Sequence, residues 1–137
     1  MEPGGYMDEK NFDEWNTIKK QLDKRDDPPE FYVGQIWFCS FGINIGQELN
    51  GKHKNSERPV VVFAKFGKTY CWAIPLTSGA KSGDYFYSGL FAGKISSAVL
   101  IQMRLIDSRR LLRLIGRVSQ KDLYRIRESI AALVYKK

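Results

Sequence analysis

The sequence predicts a mainly β fold, in which a small, partly open barrel of short strands is flanked by an N-terminal amphipathic helix and a C-terminal helix. Three observations support this prediction. The chain has 137 residues, which is the length of one domain, and 13% of it is aromatic. From residue 31 onward, short apolar runs alternate with turn residues. Near each end of the chain, apolar residues recur instead at the three- and four-residue spacing of a helix.

The first segment is predicted to be helical and to stand apart from the barrel. Its apolar residues form one stripe at helical spacing: Phe12, Trp15, Ile18 and Leu22. Asn11 is a candidate N-cap, and the Pro28-Pro29 pair ends the segment. We therefore divide the chain into an acidic helical extension with linker, residues 1–30, and a barrel domain, residues 31–137.

The barrel domain is predicted to contain five or six strands. They fall at 35–41, 59–66, 69–76, 84–87, 97–102 and 112–118, with a short helical turn at 107–111. Ser119 is placed to cap a final helix. This number of short strands with one terminal helix indicates an SH3-like, partly open barrel. Residues 42–57 show no apolar periodicity and form a loop of a length that is often functional.

The charge is unevenly distributed. Residues 1–30 carry a net charge of −4, whereas residues 31–137 carry +11. A basic domain suits a polyanion such as RNA, although a basic surface kept for solubility explains the charge equally well. No apolar run approaches the roughly 20 residues of a membrane helix, and the polar, acidic start lacks a signal-peptide core. We expect a cytoplasmic protein with no membrane association.

Metal and disulfide chemistry are not expected. Cys39 and Cys71 each lie in an apolar strand-like run, so two buried free thiols are predicted, with a disulfide as the alternative. A single histidine and the absence of a CxxC pair argue against a zinc site. We therefore predict no metal and no cofactor.

Several motifs follow one another in the barrel domain. They are 34–37 (GQIW) leading to 46–48 (GQE), 57–62 (ERPVVV), 74–78 (IPLTS), and 98–107 (AVLIQMRLID) followed by 115–119 (IGRVS). In this order and spacing, over about residues 31–134, they resemble the MazF/PemK toxin family. The resemblance implies an SH3-like barrel, a homodimer and an endoribonuclease that cuts single-stranded mRNA. It also implies growth arrest unless an acidic antitoxin covers the RNA groove.

Two residues are predicted to be catalytic because they match the family's active-site arginine and threonine. The Arg58 guanidinium can form parallel hydrogen bonds to a phosphate and offset charge in the transition state. The Thr77 hydroxyl can donate to a phosphate oxygen. RNA carries its own nucleophile, the 2′-hydroxyl, so cleavage to 2′,3′-cyclic phosphate and 5′-hydroxyl ends needs no metal. The alternatives are an arginine in a surface ion pair and a turn-forming threonine.

The remaining candidates follow from the same resemblance and from charge. The candidates for catalysis or RNA binding are Glu48, His53, Ser78 and Gln102. The candidates for RNA binding are Lys52, Lys54, Arg104, Arg109 and Arg110. Ile101 stands where many relatives carry an acid that assists proton transfer, so the general base is not assigned.

Other functions stay open at this point. A non-catalytic RNA- or protein-binding module of the same family is the main alternative, since SH3-like barrels serve both roles. A toxin that blocks a protein target is another. The acidic N-terminal helix either masks the RNA site or extends the core through its apolar stripe.

Overall fold

The computed structural model describes residues 10–52 and 55–135. Within these residues the chain forms two helices and seven strands. They are α1 (Phe12–Asp23), β1 (Gln35–Ser40), β2 (Glu57–Lys65), β3 (Tyr70–Ser78), β4 (Phe86–Phe91), β5 (Lys94–Val99), β6 (Arg104–Asp107), β7 (Leu111–Arg117) and α2 (Gln120–Tyr135). Short 3-10 turns cover Leu100–Gln102 and Ser108–Arg110. The predicted mainly β fold with a helix on each side is confirmed.

The strands form one strongly bent antiparallel sheet. Its order is β4-β5-β3-β2-β1-β7, and β6 pairs with β3 beside this path. The first half of β3 pairs with β6 through Tyr70–Ala73, whereas its last residues, Leu76–Ser78, pair with β5. Among the described residues no pairing of β7 with β4 or β6 closes the sheet. The barrel is therefore partly open, as predicted.

The three central strands are buried on both faces. One apolar cluster contains Trp37, Val60 and Val62. The other contains Ile36 and Val61 from the neighbouring positions of the same strands, and it packs against α2. Successive side chains of a strand point to opposite faces, so two-sided burial explains the nearly continuous apolar run in β2.

The cysteines are free thiols inside the first of these clusters. Cys39 and Cys71 are both fully buried, and neither is in a disulfide. Burial away from water disfavours the thiolate and raises the pKa of each thiol to about 12. The prediction of two buried free thiols is confirmed.

The predicted strand boundaries were wrong around residues 84–107. Ala92 and Gly93 both have positive φ, at 50° and 78°, and form the tight turn of the β4–β5 hairpin. Ala-Gly is not a usual signal for that turn, so the sequence predicts a strand at 84–87, whereas β4 covers Phe86–Phe91. The strand predicted at 97–102 ends at Val99 and continues as a 3-10 turn. The short strand β6 was missed because its sequence, RLID, shows no clear alternation.

Trp15 is the buried side chain of helix α1. The Asn11 side chain accepts a hydrogen bond from the Glu14 amide at 3.0 Å, which confirms the predicted cap. Trp15 is 5% exposed, whereas Phe12 on the predicted apolar stripe is 48% exposed. Beyond the helix, Arg25 donates to the carbonyls of residues 109 and 111 at 3.1 and 2.7 Å. The segment thus packs beside the start of β7.

Candidate functional site

A groove of about 500 Å³ lies where β1, β2 and β3 meet the β4–β5 hairpin. We call this site the groove. Its polar lining consists of Lys52, Glu57, Arg58, Thr77, Ser78, Lys94 and Ser96. Its apolar lining includes Ile36, Phe38, Leu76, Phe91 and Ile115. The groove thus combines cations, hydroxyls and an apolar wall.

Arg58 is held in the groove by two backbone carbonyls. Its Nε donates to the carbonyl oxygen of Asn50 at 2.7 Å, and its Nη1 donates to that of Leu76 at 3.0 Å. The residue is 7% exposed, and burial lowers the pKa of its guanidinium. Within the described residues no carboxylate pairs with it. A charge so placed is costly unless an anion binds there.

The hydroxyl groups of the groove come from two paired strands. Thr77 and Ser78 end β3, opposite Ser97 and Ser96 of β5. Because Arg58 bonds to the Leu76 carbonyl, its guanidinium lies next to the peptide that leads into Thr77. Thr77 is half-buried, and its hydroxyl makes no hydrogen bond to any other described residue. It is available to a ligand.

Lys52 and Lys94 supply further positive charge. Both side chains are exposed, and both residues line the groove. Lys52 is held at the end of the long loop by paired backbone hydrogen bonds with Glu57, at 2.6 and 2.7 Å. Lys94 opens β5 immediately after the hairpin turn. The two ammonium groups can attract a polyanion toward Arg58.

Glu57 is the acidic side chain of the groove. Its carboxylate accepts from Arg113 at 2.7 Å and from the Asn55 amide at 3.1 Å. Arg113 in turn lies over the Phe38 ring, 4.6 Å from its centre. This pairing offsets one acid with one base, so it leaves the groove cationic.

Three other predicted residues gather in a second concavity of about 540 Å³, which we call the loop pocket. It is lined by Phe41, Asn44, Gln47, Glu48, Leu49, Ile101, Gln102, Met103 and Arg104. Gln102 accepts from the Leu49 amide at 3.3 Å and donates to the Gln47 carbonyl at 3.1 Å, so its amide holds the loop. Glu48 similarly closes a turn by accepting from the Ile45 amide.

The other members of the loop pocket are arranged differently. Arg104 lies over the Phe41 ring at 4.7 Å. Ile101, which the family resemblance set at the position of an acid, is 57% exposed and lines the loop pocket rather than the groove.

Arg109 and Arg110 lie near α1 rather than in the groove. Arg109 pairs with Asp107 at 2.9 Å, and this hydrogen-bonded pair lowers the pKa of the carboxyl group. Arg110 donates to the Ser40 carbonyl at 3.1 Å and lies 5.5 Å from the centre of the Trp15 ring. Their contacts are those of residues that join the helix to the barrel.

The predicted residues His53 and Lys54 lie outside the described residues, so their part of the prediction has no structural counterpart here. Among the described residues no group of three or more His, Cys, Asp or Glu side chains is placed to hold a metal. No helix in the described part of the chain is long and apolar enough to cross a membrane.

Three groove residues were not among the predicted ones: Glu57, Lys94 and Ser96. Glu57 adjoins Arg58, and this neighbour relation was a usable signal. Lys94 and Ser96 reach the groove only because the β4–β5 hairpin folds against the end of β3. That pairing is not visible in the local sequence.

Known proteins share this fold. MazF of Deinococcus radiodurans is 20% identical, with a TM-score of 0.59 over 80% of this chain and 98% of that one. The Mycobacterium tuberculosis toxin MazF-mt6 is 15% identical, with a TM-score of 0.55 over 73% and 95% of the two chains. A MazE–MazF structure from D. radiodurans is 17% identical, with a TM-score of 0.54 over 80% and 98%.

Sequence comparison gives the family. No curated protein sequence shows a significant match to the chain. The model of the PemK-like, MazF-like toxins of type II toxin–antitoxin systems, however, matches residues 32–134. That match contains every strand described above and most of α2. The chain therefore belongs to the family of PemK-like, MazF-like toxins.

Proposed function

We propose that this toxin-family protein is an endoribonuclease that cleaves single-stranded RNA by attack of the RNA's own 2′-hydroxyl. The products are a 2′,3′-cyclic phosphate and a 5′-hydroxyl. The observation that carries the proposal is Arg58, a nearly buried cation with two carbonyl bonds, no carboxylate partner among the described residues, and Thr77 beside it.

Arg58 is proposed to stabilise the charge that develops on the phosphate. Its two bonds to carbonyls leave N–H donors on both terminal nitrogens, and a guanidinium can direct such donors at two phosphate oxygens. Preorganised donors in a site shielded from water act most strongly on transition-state charge. The Thr77 hydroxyl adds a further donor from the adjacent strand end.

The rest of the groove suits an RNA strand. Lys52 and Lys94 line the groove and are proposed to contact neighbouring phosphates, to which Ser78 and Ser96 can hydrogen-bond. The apolar lining, which includes Phe38, is proposed to contact a sugar or a base. Glu48, Gln102, Arg104, Arg109 and Arg110 lie outside this groove, so we assign them no role in cleavage.

The proposed biological setting follows from the family. Two of the similar structures are MazE–MazF complexes, which supports an acidic, MazE-like antitoxin as the partner of this chain. We further propose that the protein acts on mRNA in the cytoplasm as a homodimer, and that unopposed activity arrests growth.

The test is incubation of the purified protein with long single-stranded RNA in EDTA, beside folded Arg58→Ala and Thr77→Ala variants. We expect cleavage to cyclic phosphate ends. Removing a preorganised donor of this kind costs on the order of 10²–10³ in kcat, so both variants should be nearly inactive.

A matched control for charge is Arg117→Ala, since Arg117 is an exposed arginine that does not line the groove. Its activity should equal that of the wild type. Intact RNA across varied sequences would overturn the enzyme proposal and favour a non-catalytic RNA- or protein-binding module.

A further inference from the structure

Helix α1 lies outside residues 32–134, the part of the chain that the family model matches. It nevertheless contacts the loop that leads to the groove. We call residues 42–52 the active-site loop, because Asn50 within it accepts the Arg58 Nε hydrogen bond at 2.7 Å. The helix therefore contacts the same loop that orients the guanidinium of Arg58 through Asn50.

The helix packs closely against the start of the active-site loop. A Cβ added to Gly42 would lie 2.4 Å from Cζ2 of Trp15, so the indole lies directly on the glycine backbone. Gly42 also has a φ of +102°, which a glycine adopts most readily. Just before the cap of the helix, Lys10 donates from Nζ to the Asn44 carbonyl. Trp15 of α1 thus holds Gly42, and Lys10, just before the helix, holds Asn44.

Hydrogen bonds within the loop connect its start to its end. The Asn44 amide donates to the Asn50 side-chain oxygen at 2.5 Å, and the Asn44 side chain donates to the Leu49 carbonyl at 2.8 Å. The Gly51 amide donates to the Gly42 carbonyl at 2.7 Å. Asn50 therefore lies between two anchored points: its side chain bonds to Asn44, which Lys10 contacts, and its neighbour Gly51 bonds to Gly42, which Trp15 of α1 contacts. Its carbonyl in turn accepts the Arg58 Nε hydrogen bond.

We infer that α1 positions the Arg58 guanidinium by holding the active-site loop, with Trp15 and Asn50 as positioning residues that touch no substrate. The inference rests on the proposed function for its effect on cleavage. The loop contains no strand or helix, so its shape depends on these few contacts. A misplacement of about 1 Å at a reacting centre can cost on the order of 10²-fold in rate.

The described part of α1 is not placed to mask the groove, because no residue of α1 lines it. The contacts of Trp15 instead match the alternative in which the helix extends the core. The inference gives this packing a consequence, since the helix then supports activity rather than inhibiting it.

The first arm of the test is kinetic and uses the full-length chain with a single-stranded RNA oligonucleotide. We expect Trp15→Ala to lower kcat about tenfold or more with little change in KM, because the loop rather than the RNA contact is altered. Trp15→Phe should recover part of the rate. Phe12→Ala, which removes an exposed aromatic from the same helix, should match the wild type.

The second arm does not depend on cleavage. Hydrogen exchange of the Arg58 Nε–H, followed by NMR, reports the bond to Asn50 directly. We expect faster exchange in Trp15→Ala and in Asn50→Ala than in Phe12→Ala. If the wild type cleaves no RNA, the proposed function fails while this arm still tests the positioning.

Two outcomes would overturn the inference. One is wild-type kcat and Nε–H exchange in a folded Trp15→Ala protein. The other applies if Trp15→Ala does not fold, in which case Lys10→Met and Asn50→Ala, which leave the indole in place, take its role in the test. The inference then requires a lower kcat and faster exchange in these two variants. Wild-type behaviour in both would show that the helix contributes stability alone.

Discussion

The Arg58 side chain is bonded to the Asn50 and Leu76 carbonyls and is 7% exposed. Carbonyl partners orient a guanidinium but do not neutralise it, so the residue raises the free energy of the empty site. A bound phosphate removes that cost, which makes Arg58 a residue suited to ligand binding more than to stability. Sequence resemblance identified this residue and Thr77 as candidates, and the structure brings them into one groove.

Other predicted residues have structural contacts that the sequence did not indicate. Gln102 is a candidate for catalysis or RNA binding, and in the structure its amide bonds to the backbone at Leu49 and Gln47. An amide that holds a loop and one that reads a base look the same in sequence. Only tertiary contacts distinguish them, and Arg110 near Trp15 is a second case of the same kind.

The cysteines permit a prediction from their pKa values. Because burial raises the pKa of the Cys39 and Cys71 thiols to about 12, almost no thiolate is present at pH 8. We expect neither thiol to react with a disulfide reagent such as DTNB in the native protein, and both to react in guanidinium chloride. Fast reaction of either thiol at pH 8 without denaturant would contradict this.

Among the secondary-structure elements, the β4–β5 hairpin forms one wall of the groove through β5. Its position is fixed by Ser97, which is fully buried and donates to the Gly79 carbonyl at 2.8 Å. The same hydroxyl accepts from the Lys81 amide at 2.8 Å and lies 2.8 Å from the Ser88 hydroxyl. The loop after Thr77 is therefore attached to the hairpin by the Ser97 hydroxyl, by the Ser88 hydroxyl, which bonds to the Lys81 backbone, and by the Gly79 amide, which donates to the Ile95 carbonyl.

We expect Ser97→Ala to lower the free energy of unfolding by about 1–2 kcal/mol, because it removes the hydrogen bond that the Ser97 hydroxyl donates to the Gly79 carbonyl and the one it accepts from the Lys81 amide. Cleavage should also fall, since the loop adjoining Thr77 and Ser78 is then held only by the bonds of Ser88 to Lys81 and of Gly79 to Ile95. Urea unfolding and RNA cleavage measure the two effects. Ser82→Ala, at an exposed serine of the same loop, is the control. Equal stability of the two variants would refute the role of Ser97.

The elements were predictable to different degrees for physical reasons. Periodic patterns identified both helices and the two-sided burial of β2, because side-chain spacing reflects which faces are covered. The extent of β4 and β5 depended on a turn at Ala92 and Gly93 that lacks the usual turn residues. The short edge strand β6 gains its form from pairing with β3, which local sequence does not encode.

At the scale of the whole molecule, net charge is the property that the sequence gives most directly. The chain carries +7 overall, and the exposed lysines of the groove face the surface that the proposal assigns to RNA. Two residues of the acidic extension, Trp15 of α1 and Lys10 before it, contact the active-site loop. The division of the chain into a helical extension with linker, residues 1–30, and a barrel domain, residues 31–137, stays a prediction.

We expect RNA affinity to fall with salt, with each lost phosphate contact reducing the slope of log affinity against log salt by about 0.7 for single strands. Lys52→Gln and Lys94→Gln should each show this reduction. Lys68→Gln, at an exposed lysine in the β2–β3 turn, should not. Binding of 2′-O-methyl RNA, which cannot be cleaved, measures the slopes. Unchanged slopes in both groove variants would exclude these contacts.

The position of β1 between β2 and β7 has a consequence for synthesis of the protein. One edge of β1 pairs with β2, which is translated soon after it. The other edge pairs with β7, residues 111–117, which the ribosome translates much later. The groove lining likewise extends from Ile36 to Ile115. A nascent chain that already contains Arg58 and Thr77 therefore lacks the finished groove until the ribosome has passed β7. On the proposed function, the cell's own messages meet the completed site only late in translation.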